Sequence, residues 1–293
     1  MKLKRLFISC IALILILASA VFAGEIEFHV IKVGQGDSMF FKLPTGEVVL
    51  IDGGPVNAGG QVVSYLKSRG VKKIDLLIAT HPHEDHIGGL ISVLDNFAVS
   101  KVWDSGHNLG TMTQRKFLEG VRRRKSKFEV VNAGLSQNIG DVRIKVIAPV
   151  DSHRKNDEAN SSSIIIHVLW KNISFLLTGD AEHKDSKMID KYPRSTVLKV
   201  AHHGSRNGTT RSLLHKIKPR VAVVSCGENN SYGHPHKDVL SLLKEFNVTL
   251  YSTVDGNIVL KSNGENFSIN NDSSDNRSFI DVIKSVLDIF FRW

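Results

Sequence analysis

Residues 81 to 86, His81-Pro82-His83-Glu84-Asp85-His86, put three histidines and two carboxylates into six positions, ahead of a Gly88-Gly89 turn. Packing does not account for such a cluster, and surface loops rarely concentrate histidine. Imidazole nitrogens with a hard carboxylate suit zinc, iron or manganese, and an extended His-x-His-x-Asp-His segment aims side chains at two neighbouring ion positions at once. Two further polar groups resemble it in placement: Thr178-Gly179-Asp180, and Ala201-His202-His203-Gly204-Ser205. An Asp after Gly is by itself an ordinary turn residue. Here it matters because all three groups follow short apolar runs, and strand ends on one sheet edge are where a scaffold presents a site. A fourth stretch, Tyr232-Gly233-His234-Pro235-His236, reads as a rigid turn after a strand and offers His234 as a proton donor or phosphate contact.

The runs that position these groups are Ile74 to Ile78, Ile173 to Leu177 and Val197 to Val200, each short and apolar enough for a buried strand. Before them, alternation through Ile26, Phe28 and Val30 and through Met39 to Phe41 predicts a meander around a tight Val33-to-Ser38 turn, followed by a strand from Val48 to Ile51 that ends in Asp52-Gly53-Gly54-Pro55. Helical spacing runs from Gln61 to Arg69, with Gly70 as the stop, and from Leu90 to Phe97. Residues 113 to 127 predict a helix carrying Arg115, Lys116, Arg122, Arg123, Arg124, Lys125 and Lys127, either a solvated face or a track for phosphates. Strands fit Val142 to Ile147, Ile164 to Leu169, Val221 to Ser225 and a closing set to Leu260; helices fit Leu213 to Ile217 and Val239 to Phe246. Alternating elements with meanders at both ends predict an α/β (α+β) domain over residues 24–269, two mixed sheets packed together with helices outside.

The chain has 293 residues, 42% apolar and 23% charged, which suits a globular domain with a full core and excludes wholesale disorder. Lys2, Lys4 and Arg5 precede an apolar run from Leu6 to Val21, with small residues at Ala18, Ala20 and Ala23. That is the layout of a secretory signal peptide over 1–23, or of an N-terminal anchor, so the domain is expected to be exported. Removing those three cations takes the formal charge from +9 to +6, still basic enough to draw polyanions. Only Cys226 then remains, so no internal disulfide is expected, and stability falls to core burial and bound metal. Residues 270–278 read as a polar linker, and 279–293 as an amphipathic helix that docks on the domain, lies on a membrane surface or pairs with a partner.

The HxHxDH, TGD and HHGS motifs resemble those of the metallo-β-lactamase fold superfamily. The segments VGQGDS, LIDGG, THPHEDHIGGL, LLTGDAE, LKVAHHGS and YGHP are further similar to the soluble hydrolase domain of ComEC-type competence proteins, which take up DNA. The resemblance covers most of residues 25 to 260 and implies a four-layer αβ/βα sandwich with two divalent metal ions, Zn or Mn, at the sheet edge. On that likeness His81 and His83 hold one ion, Asp85 and His86 the other, and Asp180 bridges. His202, at the strand end, is assigned to the second ion and His203 to proton handling, with the two exchangeable. Many superfamily members place another histidine before the bridging Asp. Here that loop reads Asn156-Asp157-Glu158-Ala159-Asn160-Ser161-Ser162-Ser163, which leaves the first ion short of a ligand, with His153 nearby as a substitute.

The implied activity is phosphodiester hydrolysis of DNA, by hydroxide generated between the ions, in a free-standing exported relative. Asp85, His203 and His234 are the expected catalytic groups. Asn160, Ser205, Tyr232 and the loop Gln35 to Asp37 are the expected substrate contacts. The alternatives are hydrolysis of a small ester (phosphocholine ester, thioester or lactam) on the same scaffold, and a non-catalytic metal-binding module.

Overall fold

Alternation along Ile26-Glu27-Phe28-His29-Val30 sets the first layer boundary. Ile26, Phe28 and Val30 enter an apolar layer with Phe41 and Phe175. His29 turns the other way, stacks on Phe40 with ring centroids 4.2 Å apart and bonds the Tyr65 hydroxyl through Nδ1 at 3.1 Å. The structure, a computed structural model, describes residues 24–150, 158–182 and 189–272.

Two sheets result. The first runs in the order β15 (Phe267–Asp272), β14 (Asn257–Ser262), β1 (Ile26–Val30), β2 (Met39–Lys42), β3 (Val48–Ile51), β4 (Lys73–Ala79), β5 (Ala98–Asp104), β6 (Lys127–Val130). The second runs β13 (Thr249–Ser252), β12 (Val221–Val224), β11 (Val197–Lys199), β10 (Ile173–Leu177), β9 (Ile165–Trp170), β8 (Val142–Ala148), β7 (Ser136–Ile139). Three apolar layers separate four layers of structure. The inner one joins the two sheets. The second lies between the first sheet and α1 (Gly59–Ser68), α3 (Leu90–Asn96) and α4 (Met112–Arg124), and contains Val62, Leu66, Leu90, Leu94, Phe117 and Val121. The third lies between the second sheet and α5 (Arg211–Ile217) and α6 (Lys237–Glu245). The expected αβ/βα sandwich of two mixed sheets is the observed fold. β4 reads as an unbroken apolar run because Leu76 and Ile78 face the inner layer while Ile74, Leu77 and Ala79 face the helices.

What positions the site is a block of parallel pairing in each sheet. β3 pairs parallel with β4, and β10, β11 and β12 pair parallel in turn, so their carboxyl ends share an edge. Three elements depart from the sequence reading. β6 and β7 were not expected: both lie at sheet edges, β6 is exposed at Lys127, Phe128 and Val130, and β7 gives only Ile139 as an apolar side chain to the inner layer. β15 continues to Asp272, past the boundary at 269, because pairing with β14 rather than side-chain polarity holds it. The basic helix ends at Arg124 with Lys125 left-handed (φ 54°), so Lys127 belongs to a strand. Several of its cations are used structurally: Arg123 pairs with Asp95 at 2.6 Å, Arg124 bonds the Leu94 and Asp95 carbonyls, and Arg115 bonds the Gly110 carbonyl at 2.9 Å. The segments 1–23 and 273–293 and His153 lie outside the described residues. Among the described residues no helix is long and apolar enough to cross a membrane.

Burial pushes the His29 imidazole down to about 4 despite its 3.0 Å contact with the Glu27 carboxylate, with the Arg69 and Lys261 charges adding to the lowering. Tyr65 and Phe40 complete its surroundings. The unfolded histidine, near 6.5, takes up its proton first as pH falls. This group's stability contribution is therefore whole above pH 6.5 and is lost as pH drops toward 4, a loss of about 3 kcal/mol. His29→Phe keeps the stack on Phe40 and is expected to flatten that acid limb in urea unfolding run in EDTA. An acid limb as steep as the wild type's would refute the assignment.

Candidate metal centre

β4 stops at Ala79 because Asp52, at the end of β3, captures the next residue: its Oδ1 accepts from the Thr80 N–H at 2.8 Å and its Oδ2 from the Thr80 hydroxyl at 2.6 Å. The chain then turns, and His83 starts α2 (Glu84–Ile87). His81 Nε2 and His83 Nδ1 end 3.0 Å apart. Two nitrogens each about 2.0–2.1 Å from a shared cation lie about this far from one another.

Asp180 follows β10 and is 2% exposed. Its Oδ2 is ringed by four imidazole nitrogens: His86 Nε2 and His203 Nε2 at 3.3 Å, His202 Nε2 at 3.7 Å and His81 Nε2 at 3.9 Å. Asp85 Oδ2 stands 3.3 Å from His203 Nε2 and 3.9 Å from His86 Nε2. Asp85, His86, Asp180 and His203 form a compact donor set. Burial opposes charge on His86 and His203, yet neighbouring carboxylates outweigh it, Asp180 and Asp52 for His86 and Asp180 and Asp37 for His203, holding both imidazoles well above the ordinary range. Burial likewise works against the Asp180 carboxylate, and the His203 and His86 charges overcome it and hold Asp180 well below its usual value. His86 Nε2, His203 Nε2 and Asp180 Oδ1 are buried without a hydrogen-bond partner, while the other nitrogens of both rings are engaged. Two buried, unpartnered imidazole nitrogens facing the Asp180 Oδ2 and Asp85 carboxylates fit a divalent cation.

The outer partners fix the rings. Asp52 Oδ2 accepts from His86 Nδ1 at 2.8 Å, and the Ser225 carbonyl, just past β12, accepts from His203 Nδ1 at 2.9 Å. Such partners set tautomer and orientation. Behind His203, Asp37 Oδ1 lies 3.5 Å from Nδ1, and Asp37 Oδ2 lies 2.9 Å from the Lys199 ammonium; both side chains are fully buried. The turn carrying Asp37 presses on the Asp85 backbone, where Asp37 N–H donates to the Asp85 carbonyl at 3.1 Å. Gly36 (φ 138°) is required there, since a Cβ would collide with that carbonyl.

Several sequence expectations change. Of the loop expected to meet substrate, Asp37 is fully buried on Lys199, and Gln35 accepts from the Gly227 N–H. His203 is 2% exposed and stands in the compact donor set, whereas His202, with its side chain 24% exposed, stands outside it. Ser205 is buried, its N–H donating to the His202 carbonyl at 2.7 Å and its Oγ accepting from the Asn207 N–H at 3.5 Å. Asn160 sits half-buried in a short turn at Ala159–Ser162 with Oδ1 unpaired. His234 lies 5.7 Å from His202 and 6.4 Å from His203 between ring centroids. Burial and the nearby His236, His203 and His202 charges push His234 down to about 4, so it is neutral at pH 7 rather than a charged acid. Tyr232, 65% exposed, stacks on His234 at 5.5 Å. Lys199 and the orienting role of Asp52 were not anticipated. A lysine inside an apolar strand was the available signal for the first, and a carboxylate at the end of the strand beside β4 for the second.

Asp52→Asn keeps one acceptor but loses the charge that faces His86 Nδ1. It is expected to weaken Mn²⁺ binding about 10–100-fold in isothermal titration, and wild-type affinity would show that Asp52 serves the turn alone.

This arrangement of sheets and ligands matches a known class. The metallo-beta-lactamase superfamily profile matches residues 31–228, and the chain belongs to that superfamily, whose fold generally supports metal-dependent hydrolysis. It is 30% identical over 266 residues to ComE operon protein 3 of Bacillus subtilis, covering 84% of this chain and 34% of that protein. It is 28% identical over 233 residues to Recombination protein 2 of Haemophilus influenzae, covering 78% of this chain and 27% of that protein. The chain thus spans a third or so of the length of these relatives. Among solved structures, the metallo-beta-lactamase fold protein YhfI from Bacillus subtilis is similar in fold, with a TM-score of 0.52 at 14% identity over 77% of this chain and 96% of that one.

Proposed function

We propose that this chain is an exported metal-dependent phosphodiesterase acting on nucleic acid. The carrying observation is the single Asp180 oxygen within reach of four imidazole nitrogens, an arrangement suited to an oxygen shared by two cations. His81, His83 and Asp180 would hold one ion, and Asp85, His86, Asp180 and His203 the other. Two such ions, Zn²⁺ or Mn²⁺, make water nucleophilic near neutral pH and offset charge on phosphoryl oxygens. Around them the protein's own groups set direction. Asp52 and the Ser225 carbonyl hold His86 and His203 with one nitrogen turned to the centre. Asp85, its side chain 34% exposed, is open to solvent and is suited to accept a proton from an incoming water. His234, neutral and beside His202, is suited to hydrogen-bond a phosphate oxygen, and the exposed Tyr232 ring stacked on it offers a base a flat surface.

The choice of nucleic acid is supported by likeness to relatives that include a competence protein and by the formal charge of +6 left once the three N-terminal cations are removed from the +9 of the chain. Export is supported by the N-terminal layout, and contact with a membrane surface by the same segment or the C-terminal one. The test is turnover of single- and double-stranded DNA with Mn²⁺ or Zn²⁺, beside a panel holding a phosphocholine ester, a thioester and a β-lactam. DNA cleavage that rises in KM for Tyr232→Ala while kcat holds is the expected result. Turnover confined to a small ester would replace this reading with the second one, a small-ester hydrolase on the same donors.

A further inference from the structure

The two ion positions are unequally supplied. The second has Asp85, His86, Asp180 and His203. The first has His81, His83 and the shared Asp180 oxygen, and the loop that would bring another imidazole presents Ala159, Asn160 and three serines instead. His202 is built to make up the difference. It and His203 both have left-handed backbone, φ/ψ 49°/51° and 53°/19°, a conformation that non-glycine residues adopt rarely and at an energetic cost. A regular strand end would need neither. The consequence of the double turn is that consecutive rings approach one carboxylate from different directions. His203 joins the second set, and His202 brings Nε2 to 3.7 Å from the same Asp180 oxygen that His81 faces at 3.9 Å.

The rest of His202 is held to this pose. Its N–H donates to the Gly179 carbonyl at 3.1 Å, tying it to the residue before Asp180. Its Nδ1 is buried and points at the Glu182 carboxylate, 3.7 Å away. A carboxylate behind one ring nitrogen, with the other nitrogen turned to the centre, repeats the Asp52–His86 arrangement on the opposite side. We propose that His202 is the additional ligand of the first ion, with Glu182 as its orienting partner, in place of a histidine from the loop before β9. This rests on the two-ion reading above.

The experiment is metal binding by the full chain, read by isothermal titration with Mn²⁺ and by the exchange-coupled Mn²⁺ pair in electron paramagnetic resonance, on wild type, His202→Ala, His202→Asn, Glu182→Gln, His203→Ala and His153→Ala. Asn tolerates left-handed backbone, so His202→Asn separates a lost ligand from a disturbed turn. Circular dichroism in EDTA checks the fold. Expected are two ions in wild type, one tight ion with no coupled pair in both His202 variants, and a weakening of one site by about 10-fold in Glu182→Gln. Two ions at wild-type affinity in His202→Asn would overturn the proposal and leave the two-ion reading standing, as would loss of one ion in His153→Ala instead. A wild type that binds no pair would overturn both.

Discussion

Asp180→Ala is expected to retain the fold, bind neither cation tightly and lose about 10³-fold or more of its turnover on bis(p-nitrophenyl) phosphate. The magnitude follows from position. One oxygen, 2% exposed as part of its residue, faces His81, His86, His202 and His203, so on the proposed two-ion reading its loss would remove a donor from both ion positions at once. Cations at such a site supply several kcal/mol of transition-state stabilisation, and about 4 kcal/mol corresponds to a thousandfold. Substituting a ligand of one ion alone, such as His83→Ala, is expected to cost less. Metal content by elemental analysis gives a reading independent of substrate. Asp180→Ala turning over within tenfold of wild type, with both ions retained, would end the account of the centre.

Lys199→Met is expected to destabilise the protein by about 3–5 kcal/mol in urea unfolding, the cost of leaving a buried partner charge uncompensated. Lys199 and Asp37 are fully buried, 2.9 Å apart, and the ammonium also donates to the Val200 carbonyl at 2.9 Å. Burial alone would raise the Asp37 carboxyl, yet the Lys199 and His203 charges hold it below its usual value. In the double variant Lys199→Met/Asp37→Asn no charge is stranded, and most of the loss is expected to return. The same double variant bears on the site, because Asp37 lies 3.5 Å from His203 Nδ1, and Mn²⁺ affinity should stay reduced even where stability recovers. Equal stability of the single and double variants would show that the pair carries no such energy.

Much of this was legible before any coordinates. Strands buried on two faces, such as β4 and β10, announce themselves as apolar runs, and the polar groups at their ends then read as a site. The edge strands β6 and β7 were missed because they carry too little apolar pattern: β6 is mostly exposed, and β7 alternates with only Ile139 as an apolar residue on its inward face. The cations of α4 read first as a solvated face, with a phosphate track as the alternative, and only the fold assigns Arg115, Arg123 and Arg124 to nearby carbonyls and Asp95.

The amino-acid order by itself determined the donor chemistry: which residues can ligate and that they stand at strand ends; the family likeness added that the loop at 156–163 lacks the histidine many members place there. Tertiary structure decided direction. His202 and His203 are adjacent and chemically identical, and a strand's alternation would predict opposite faces, but two left-handed residues in succession send both rings to one oxygen. Asp37 reads as a loop residue free to meet a ligand until packing closes Lys199 over it. Residue type and spacing carry composition and period. The aim of a side chain depends on backbone angles and on neighbours distant in the chain, and these exist only once the two sheets have closed on each other.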